Sequence, residues 1–287
     1  MIKEKILNNL ICIRCSEGVG SKGDKLVCAG CGKEYPIIDN KPQMIDEPAK
    51  DFSKPESDFI VSKLKIFFKK FPRVFNIIYY LFGASFVGKS AKEAIKDIAK
   101  DKIIVNLGSG PKKIREDVIN VDFYPFTNID IVADIARLPF KNSSIDVVIN
   151  EFVLEHTKNY QVAINEIKRV LKPDGLIYIA VPFVASFHSS PDDYRRWSKE
   201  GLKELMQDFR EIESGVRCGP TSAMVSIFNE WLATLLSFGS KYLHQILLLI
   251  FTVITSPLKL LDYLISKFPS AQNIAFGFYY IGRKKKI

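Results

Sequence analysis

Five short apolar runs between Lys102 and Pro182 constrain this chain more than anything else in it. They read KIIVNLG, VINVD, IVAD, SIDVVIN and GLIYIAVP. Turns separate them, and a helix is expected from Tyr160 to Leu171 before the fifth. Continuously apolar strands need cover on both faces, and a parallel sheet flanked by helices provides it. Ile164, Ile167, Val170 and Leu171 fall on one side of the expected helix and belong to the core. FREIESGVR and IAFGFYYIGRK read as two further strands. Between them, from about Cys218 to Asn273, lies an apolar, mostly helical insertion. The fold class is therefore α/β.

The polar residues at the ends of these runs indicate what the sheet holds. KIIVNLGSGPKK is a strand, a glycine-rich turn and the entry to a helix, and Gly108 and Gly110 let a ligand approach the backbone. Asp122 ends the second run 14 residues after Gly108, where a carboxylate can accept both hydroxyls of a ribose. Asp134 ends the third run and heads DIARLPF. Asn150 and Glu151 end the fourth, and Lys172-Pro173-Asp174-Gly175 closes the helix before the fifth. In this order the motifs resemble class I S-adenosylmethionine-dependent methyltransferases of the type 11 family, over about residues 100–216 and the last strand.

The resemblance implies a Rossmann-like sheet of seven strands with the last antiparallel, and S-adenosyl-L-methionine (SAM) as cofactor. It implies that Gly108, Ser109 and Gly110 contact the methionine part and that Asp122 holds the ribose. Asp134 and the backbone of Ile135 would hold the adenine, and Asn150 and Glu151 would line the sulfonium side. Asn106 stands where the family usually has Asp or Glu, so a hydrogen bond is kept there but the charge attraction to the cofactor's ammonium is lost. Lys112 replaces the usual third glycine. A dinucleotide dehydrogenase is the rival reading. Its GxGxxG spacing fails at Lys113, and it has no role for DIARLPF.

The amino end carries a second signal. Cys12 and Cys15 form CIRC, Cys28 and Cys31 form CAGC, and twelve residues separate the pairs. Two such knuckles can place four thiolates tetrahedrally around a structural Zn²⁺. No thioredoxin-like context favours a redox pair instead. With KEYPIIDNKPQMI, residues 1–46 resemble the small zinc-ribbon family that partners, or is fused to, methyltransferases. Tyr35-Pro36-Ile37 and Pro42 to Ile45 carry that likeness. Residues 47–58 read as a linker. Residues 59–92 form a basic aromatic helical segment with seven Lys and Arg and no acid, and 100–287 is the methyltransferase domain. Cys218 stands alone and is expected in the core.

After the fifth run comes PFVASFHSSPDDYRRWSKEGLKEL, on the side of the sheet that faces ligands. His188 is the candidate base, with Asp193 and Tyr194 beside it, and Arg195 with Arg196 can grip an anion. The bland alternative is that Asp192, Asp193 and Ser198 cap the following helix and Trp197 packs beneath it. Glu155 and His156, in VLEH, read as the end of a local turn. The run with GVRCGPTSA resembles type 11 enzymes of polysaccharide and lipid-linked glycan synthesis, which implies a sugar, glycan or lipid-linked acceptor.

Composition sorts the remaining readings. At 47% hydrophobic and 25% charged, the 287 residues exclude a disordered chain or a disulfide-dense miniprotein. Forty-one basic against 32 acidic residues give a net charge of +9, suited to nucleic acid, anionic lipid or a phosphorylated substrate. The aromatics of 59–92 sit among aliphatics, which favours an anionic membrane surface over the stacking platform of an RNA methyltransferase. A non-catalytic cofactor-binding scaffold is a third reading, resting on Asn106 and Lys112. MIKEKILNNL lacks the core of a secretory signal, and paired cysteines suit a reducing compartment. The expected location is cytoplasmic, with peripheral attachment at the inner face of the membrane. The unbroken apolar heart Ile246–Phe251 is too short for a spanning helix, so none is expected there.

Overall fold

The computed structural model describes residues 4–46, 83–188 and 192–286. The linker expected at 47–58, and the basic aromatic segment as far as residue 82, lie outside the described residues.

Every apolar run forms a strand. β5 (Ile104–Leu107), β6 (Ile119–Asp122), β7 (Ile131–Ala133), β8 (Ile145–Glu151) and β9 (Leu171–Pro182) are parallel to one another. β10 (Phe209–Cys218) and β11 (Gly277–Lys284) complete the sheet in the order β7-β6-β5-β8-β9-β11-β10, with β11 antiparallel to both its neighbours. This is the seven-stranded sheet with one reversed strand that the family resemblance implies. α3 (Tyr160–Val170) precedes β9 as expected and buries Ala163, Ile164, Ile167 and Val170 against one face. Ser198 caps α4 (Lys199–Leu205) by accepting the Gly201 amide at 3.1 Å.

The expected helix after Gly110 is absent. Residues 108–118 form turns, with Pro111 and three close-set basic residues where a first helical turn would be. Arg115 fixes this path: it grips Asp117 through two bonds of 2.6 and 2.7 Å and donates to the Ile95 and Ile98 carbonyls. The second face of the sheet is covered instead by α2 (Ala91–Ala94) with Ile95, packed on Ile104, Val147, Ile149 and Tyr178.

The cysteine-bearing segment is built into the same sheet. α1 (Glu4–Leu7) leads to β1 (Val19–Lys22), β2 (Lys25–Cys28), β3 (Glu34–Ile38) and β4 (Lys41–Met44). β4 pairs in parallel with β7, Gln43 opposite Val132 and Met44 opposite Ala133. The Ile11 amide also bonds the Pro139 carbonyl at 3.0 Å, and Leu10, Leu26, Tyr35, Met44 and Phe140 are all fully buried. Composition changes near residue 46, but hydrogen bonding and packing cross that boundary.

The insertion folds as α5 (Pro220–Leu236), α6 (Lys241–Thr255), a 3-10 stretch at 256–261 and α7 (Asp262–Ile265). The whole helical run Lys241–Ile265 is long and apolar enough, by length and composition, to cross a membrane, a longer run than the sequence heart suggested. Its second half is tied to the protein. Lys259 is buried and donates to the Gly83 carbonyl at 2.6 Å. Asp262, wholly buried, accepts from the Thr221 and Ser222 amides and the Ser222 hydroxyl at 2.6, 2.9 and 2.7 Å. A carboxylate at a helix start satisfies orphan amides and complements the dipole. Gly219 is required there, because a Cβ would lie 2.3 Å from an Asp262 oxygen.

Outward, both helices are apolar. Met224, Ile227, Phe228, Trp231 and Leu235 recur at helical spacing on the exposed side of α5, and Tyr242, Ile246, Leu249, Ile250 and Val253 do so on α6.

Asp262→Ala strands two buried amides and is expected to cost about 2–4 kcal/mol. A urea unfolding series should show the midpoint fall with the slope unchanged.

Candidate active site at the carboxyl ends of the parallel strands

Leu107 lies opposite Asn150 across β5 and β8, so the turn after β5 meets the end of β8. Gly108 has φ of +66° and a Cβ there would lie 2.5 Å from the Val153 methyls, so both backbone and space demand glycine. Gly110, at φ +55°, has open space where a side chain would go. The Gly108 and Ser109 amides bond the Val121 carbonyl at 2.8 and 3.3 Å, folding the turn over β6. Asp122 holds that turn: its carboxylate accepts the Gly110 amide at 2.8 Å and the Tyr124 amide at 2.9 Å.

The other residues expected at the cofactor fall around this turn. Asn106 is buried and donates to Asn120 at 3.3 Å, inside the sheet. Asp134 is exposed at the end of β7 and accepts the Ala136 amide at 2.8 Å, while Ile135 packs its side chain into the core. Asn150 is wholly buried; its amide reaches the Leu107 carbonyl at 3.5 Å, and its Oδ1 has no partner among the described residues. An orphaned acceptor at the mouth of an open glycine turn fits a ligand that brings a donor. Glu151, the next residue, points to the opposite face of the strand. There it accepts from Arg217 Nε at 2.7 Å and the Tyr178 hydroxyl at 3.3 Å. Arg217 lies over the Phe86 ring at 4.5 Å and Lys112 at 5.6 Å, so two cations surround Glu151 and Phe86. Phe86 and Arg217 could not be matched to this site from sequence, since they are 131 positions apart.

On the acceptor side, three segments converge. The turn after β8 contains a 3-10 stretch, Leu154–His156, as the local-turn reading expected. Glu155 in it is fully buried, and among the described residues neither carboxylate oxygen has a hydrogen-bond partner. Burial pushes its pKa up to about 8. His156 Nε2 lies 3.9 Å from Glu155 Oε1, and its Nδ1 bonds the Asp192 carbonyl. His188 approaches from the loop after β9, its ring edge-on to His156 at 5.2 Å. Burial holds both imidazoles below their ordinary pKa, so both are neutral at pH 7. The His188 amide donates to Asp193 at 2.8 Å. Burial alone would raise Asp193, but its paired Arg196 and the His188 amide outweigh that and hold it low. Tyr194 is exposed, with its hydroxyl on Asp192 at 3.1 Å.

The arginines are already engaged. Arg196 binds Asp193 through both its terminal nitrogens and donates to the Ala185 and Ser186 carbonyls. Arg195 donates to the Thr157 and Lys158 carbonyls and lies 4.5 Å over the Tyr160 ring. They fasten the loop rather than stand ready for an anion. Trp197 packs edge-on to Tyr160 at 5.7 Å, as the packing reading expected. Ser186 reaches Ser226 of α5 at 2.6 Å, which seats this loop against the apolar helices.

The four cysteines form a separate centre. Cys12 and Cys31 Sγ are 3.6 Å apart and Cys15 and Cys28 Sγ 3.3 Å, with all four sulfurs within 4.8 Å of one another. Tetrahedral zinc thiolates sit about 3.8 Å apart, given Zn–S bonds near 2.3 Å, so the set fits one ion. The Arg14 and Cys31 amides point at the Cys12 and Cys28 sulfurs at 3.3 and 3.4 Å. Burial pushes Cys12 up, but the Tyr35 hydroxyl at 3.1 Å and neighbouring amides bring it down to about 6. Cys218 is buried and lies outside this cluster, as expected.

Residues 109–179, from the glycine turn through β9, match the family described as methyltransferase domain. No curated protein matches the chain. Among solved structures, it is similar to phosphoethanolamine N-methyltransferase 2 of Haemonchus contortus in complex with S-adenosyl-L-methionine. The identity is 15% and the TM-score 0.47, over 77% of this chain and 60% of that one. It is also similar to the Haloferax volcanii complex between the Trm112 methyltransferase activator and a methyltransferase described there as putative, at 14% identity and TM-score 0.45, over 76% and 96% of the two chains. A third is Burkholderia thailandensis 1,6-didemethyltoxoflavin-N1-methyltransferase, at 12% identity and TM-score 0.44, over 90% and 98%.

Purified under reducing conditions, the protein is expected to carry zinc on these cysteines, and Cys28→Ser is expected to lose that ion. Elemental analysis of the two proteins decides it, and no bound zinc or iron in the native chain would exclude the site.

Proposed function

Since this chain carries a SAM-dependent methyltransferase domain on a class I sheet, we propose that it methylates a hydroxyl of a sugar, glycan or lipid-linked small acceptor at a membrane surface. The contact between the acceptor-side loop and the apolar helices, Ser186 to Ser226, carries this reading. It puts a neutral imidazole next to a surface suited to lipid.

The cofactor would lie on the Gly108–Gly110 turn, with Asp122 at the ribose, Asp134 and the Ile135 backbone at the adenine, and Asn150 toward the sulfonium. S-adenosyl-L-methionine, when bound, supplies a methyl group on a positively charged sulfur. The chain's task is to hold an acceptor oxygen in line with that methyl and to remove the hydroxyl proton. His188 is the group assigned to that proton: it is neutral at pH 7 and lies beside Asp193, whose carboxylate is 3.5 Å from Nδ1. Tyr194, exposed at the rim, and Asp193, inside it, complete the acceptor side.

The membrane part of the reading rests on the exposed stripes of α5 and α6. Helices of a water-soluble fold normally turn such stripes inward. Trp231, Phe228 and Tyr242 are the side chains that favour a headgroup boundary. Two basic residues of these segments are engaged within the protein: Lys259 is buried on Gly83, and Lys89 pairs with Glu213 at 2.6 Å. The electrostatic share of attachment therefore falls to Lys241 and the basic residues of the 59–92 segment.

Two measurements test the reading. Calorimetry should detect SAM binding to the native protein, and Asp122→Ala should weaken it roughly 10- to 100-fold, the equivalent of one lost charge-assisted hydrogen bond. No binding to the native protein would overturn the enzyme. In flotation with vesicles, recovery should be higher with anionic than with neutral lipid and should fall with salt. Equal recovery from both, or none from either, would remove electrostatic attachment.

A further inference from the structure

We propose that Glu155, His156 and His188 form a binding site for one divalent transition-metal ion of the zinc or iron(II) kind, separate from the four cysteines and open toward the acceptor. The inference rests on the methyltransferase reading only for what the ion does; the site itself stands on the side chains.

Glu155 is the starting point. It has no exposed surface, and among the described residues neither oxygen finds a donor. A buried carboxyl without a hydrogen-bond partner is costly to ionise unless a cation is held beside it. Among the described residues no Lys or Arg side chain hydrogen-bonds it. The neighbouring guanidinium, Arg196, is engaged by Asp193 and the loop carbonyls.

The imidazoles are oriented in the way that metal-bound histidines are. His156 Nδ1 meets the Asp192 carbonyl, and His188 Nδ1 lies 3.3 Å from the Ser186 carbonyl. A proton on each Nδ1 satisfies those carbonyls and leaves the Nε2 lone pairs for a ligand. That backbone bond fixes ring and tautomer in metal sites. His156 Nε2 is 3.9 Å from Glu155 Oε1, and one ligand atom from each of the three residues lies within 4.8 Å of the others. Ligand atoms of a tetrahedral ion with bonds near 2.1 Å sit about 3.4 Å apart, so the set closes by about an ångström or so on binding.

The donor set selects the ion. Two imidazoles and one carboxylate with an open position serve zinc and non-haem iron(II), whereas magnesium and calcium prefer oxygen alone. The open side is at His188, whose side chain is 38% exposed while that of Glu155 is fully covered. An acceptor hydroxyl can take that position. Ligation makes His188 a ligand instead of a free base. The hydroxyl proton then leaves to water, because a cation-bound oxygen is more acidic, and the resulting oxygen anion is the nucleophile that receives the methyl group.

Equilibrium dialysis of the full chain against Zn²⁺, followed by elemental analysis, tests the site. The native protein should hold two ions per chain, and His156→Ala/His188→Ala should hold one. Glu155→Gln, which keeps the size and removes the carboxylate ligand, should stay folded and bind the second ion at least tenfold more weakly. Co²⁺ loading should add absorption bands of a nitrogen–oxygen site, without sulfur-to-metal charge transfer, and these should vanish in both variants. One ion in the native chain, or two held equally tightly by Glu155→Gln, would overturn the proposal. SAM calorimetry on the same samples separates the two readings. One ion with SAM bound removes only this site, and two ions without SAM binding remove the methyltransferase reading while the site stands.

Discussion

The parallel pairing of β5 with β8 is the constraint on which the rest depends. Parallel strands cannot be joined by a tight hairpin, so each chain segment must cross back and start again from the same end. All the strand ends of β5, β6, β7, β8 and β9 therefore open on one edge, and the loops there are free of any duty to continue the sheet. Leu107 opposite Asn150 sets the depth of that edge. Gly108 and Val153 then come into contact, which is why the turn must be glycine and why it stays open above Gly110. Phe152, between them, is held at φ +55°, an unfavourable conformation for a non-glycine residue, with its amide on the Ala180 carbonyl. Strain of this kind persists only where its surroundings fix it.

What was legible in the sequence follows from this geometry. The strands could be read because parallel strands are apolar on both faces, and the runs at Ile104, Ile119, Ile131, Ile145 and Leu176 contain little else. Gly108, Asp122 and Asn150 could be placed because their spacing along successive strands reflects the common edge. The helix entry after Gly110 was expected from the strand and glycine turn of KIIVNLGSGPKK and is absent, because Arg115 anchors that stretch to Asp117 and to the carbonyls behind α2. Arg195 and Arg196 resembled an anion clamp, since sequence cannot show that they fold back to donate to the carbonyls of 157, 158, 185 and 186. Glu155 was the hardest case. Its burial is produced by residues 192–197 folding over it, the Tyr194 amide bonding the Glu155 carbonyl at 2.8 Å. No pattern within VLEH carries that information.

The insertion inverts the usual relation between helix and core. α5 turns Ala223, Val225, Asn229 and Ala233 inward, mostly small residues, and keeps its large apolar groups outside. A small inner face lets α6 pack closely, and Asn229 donates to Thr255 at 2.9 Å across the pair. The exposed surface is thus what remains after the helices have satisfied each other, not a failure of the core. The sequence shows high apolar content in this segment, but content alone does not say which side the large residues take. The spacing of Met224, Ile227, Phe228 and Trp231 is helical, and either side of the helix could have faced the sheet.

The cysteine segment meets a different need of the same sheet. β7 has three residues, and without a neighbour it would be a short exposed edge. β4 covers it, and the strands behind β4 continue the pairing to β1. Tyr35 joins this cover to the cysteine-bearing loop: its ring is fully buried in the core shared with β7, and its hydroxyl meets Cys12 Sγ and the Ile13 amide, both at 3.1 Å. A segment this small has too little core to hold its shape alone. An ion on the four thiolates would fix the knuckles from one side while the sheet edge fixes β4 from the other. Stability conferred by zinc would then reach the edge that carries Asp134, 106 residues after Cys28 in the chain but joined to that cysteine's strand, β2, through β3 and β4 in the sheet.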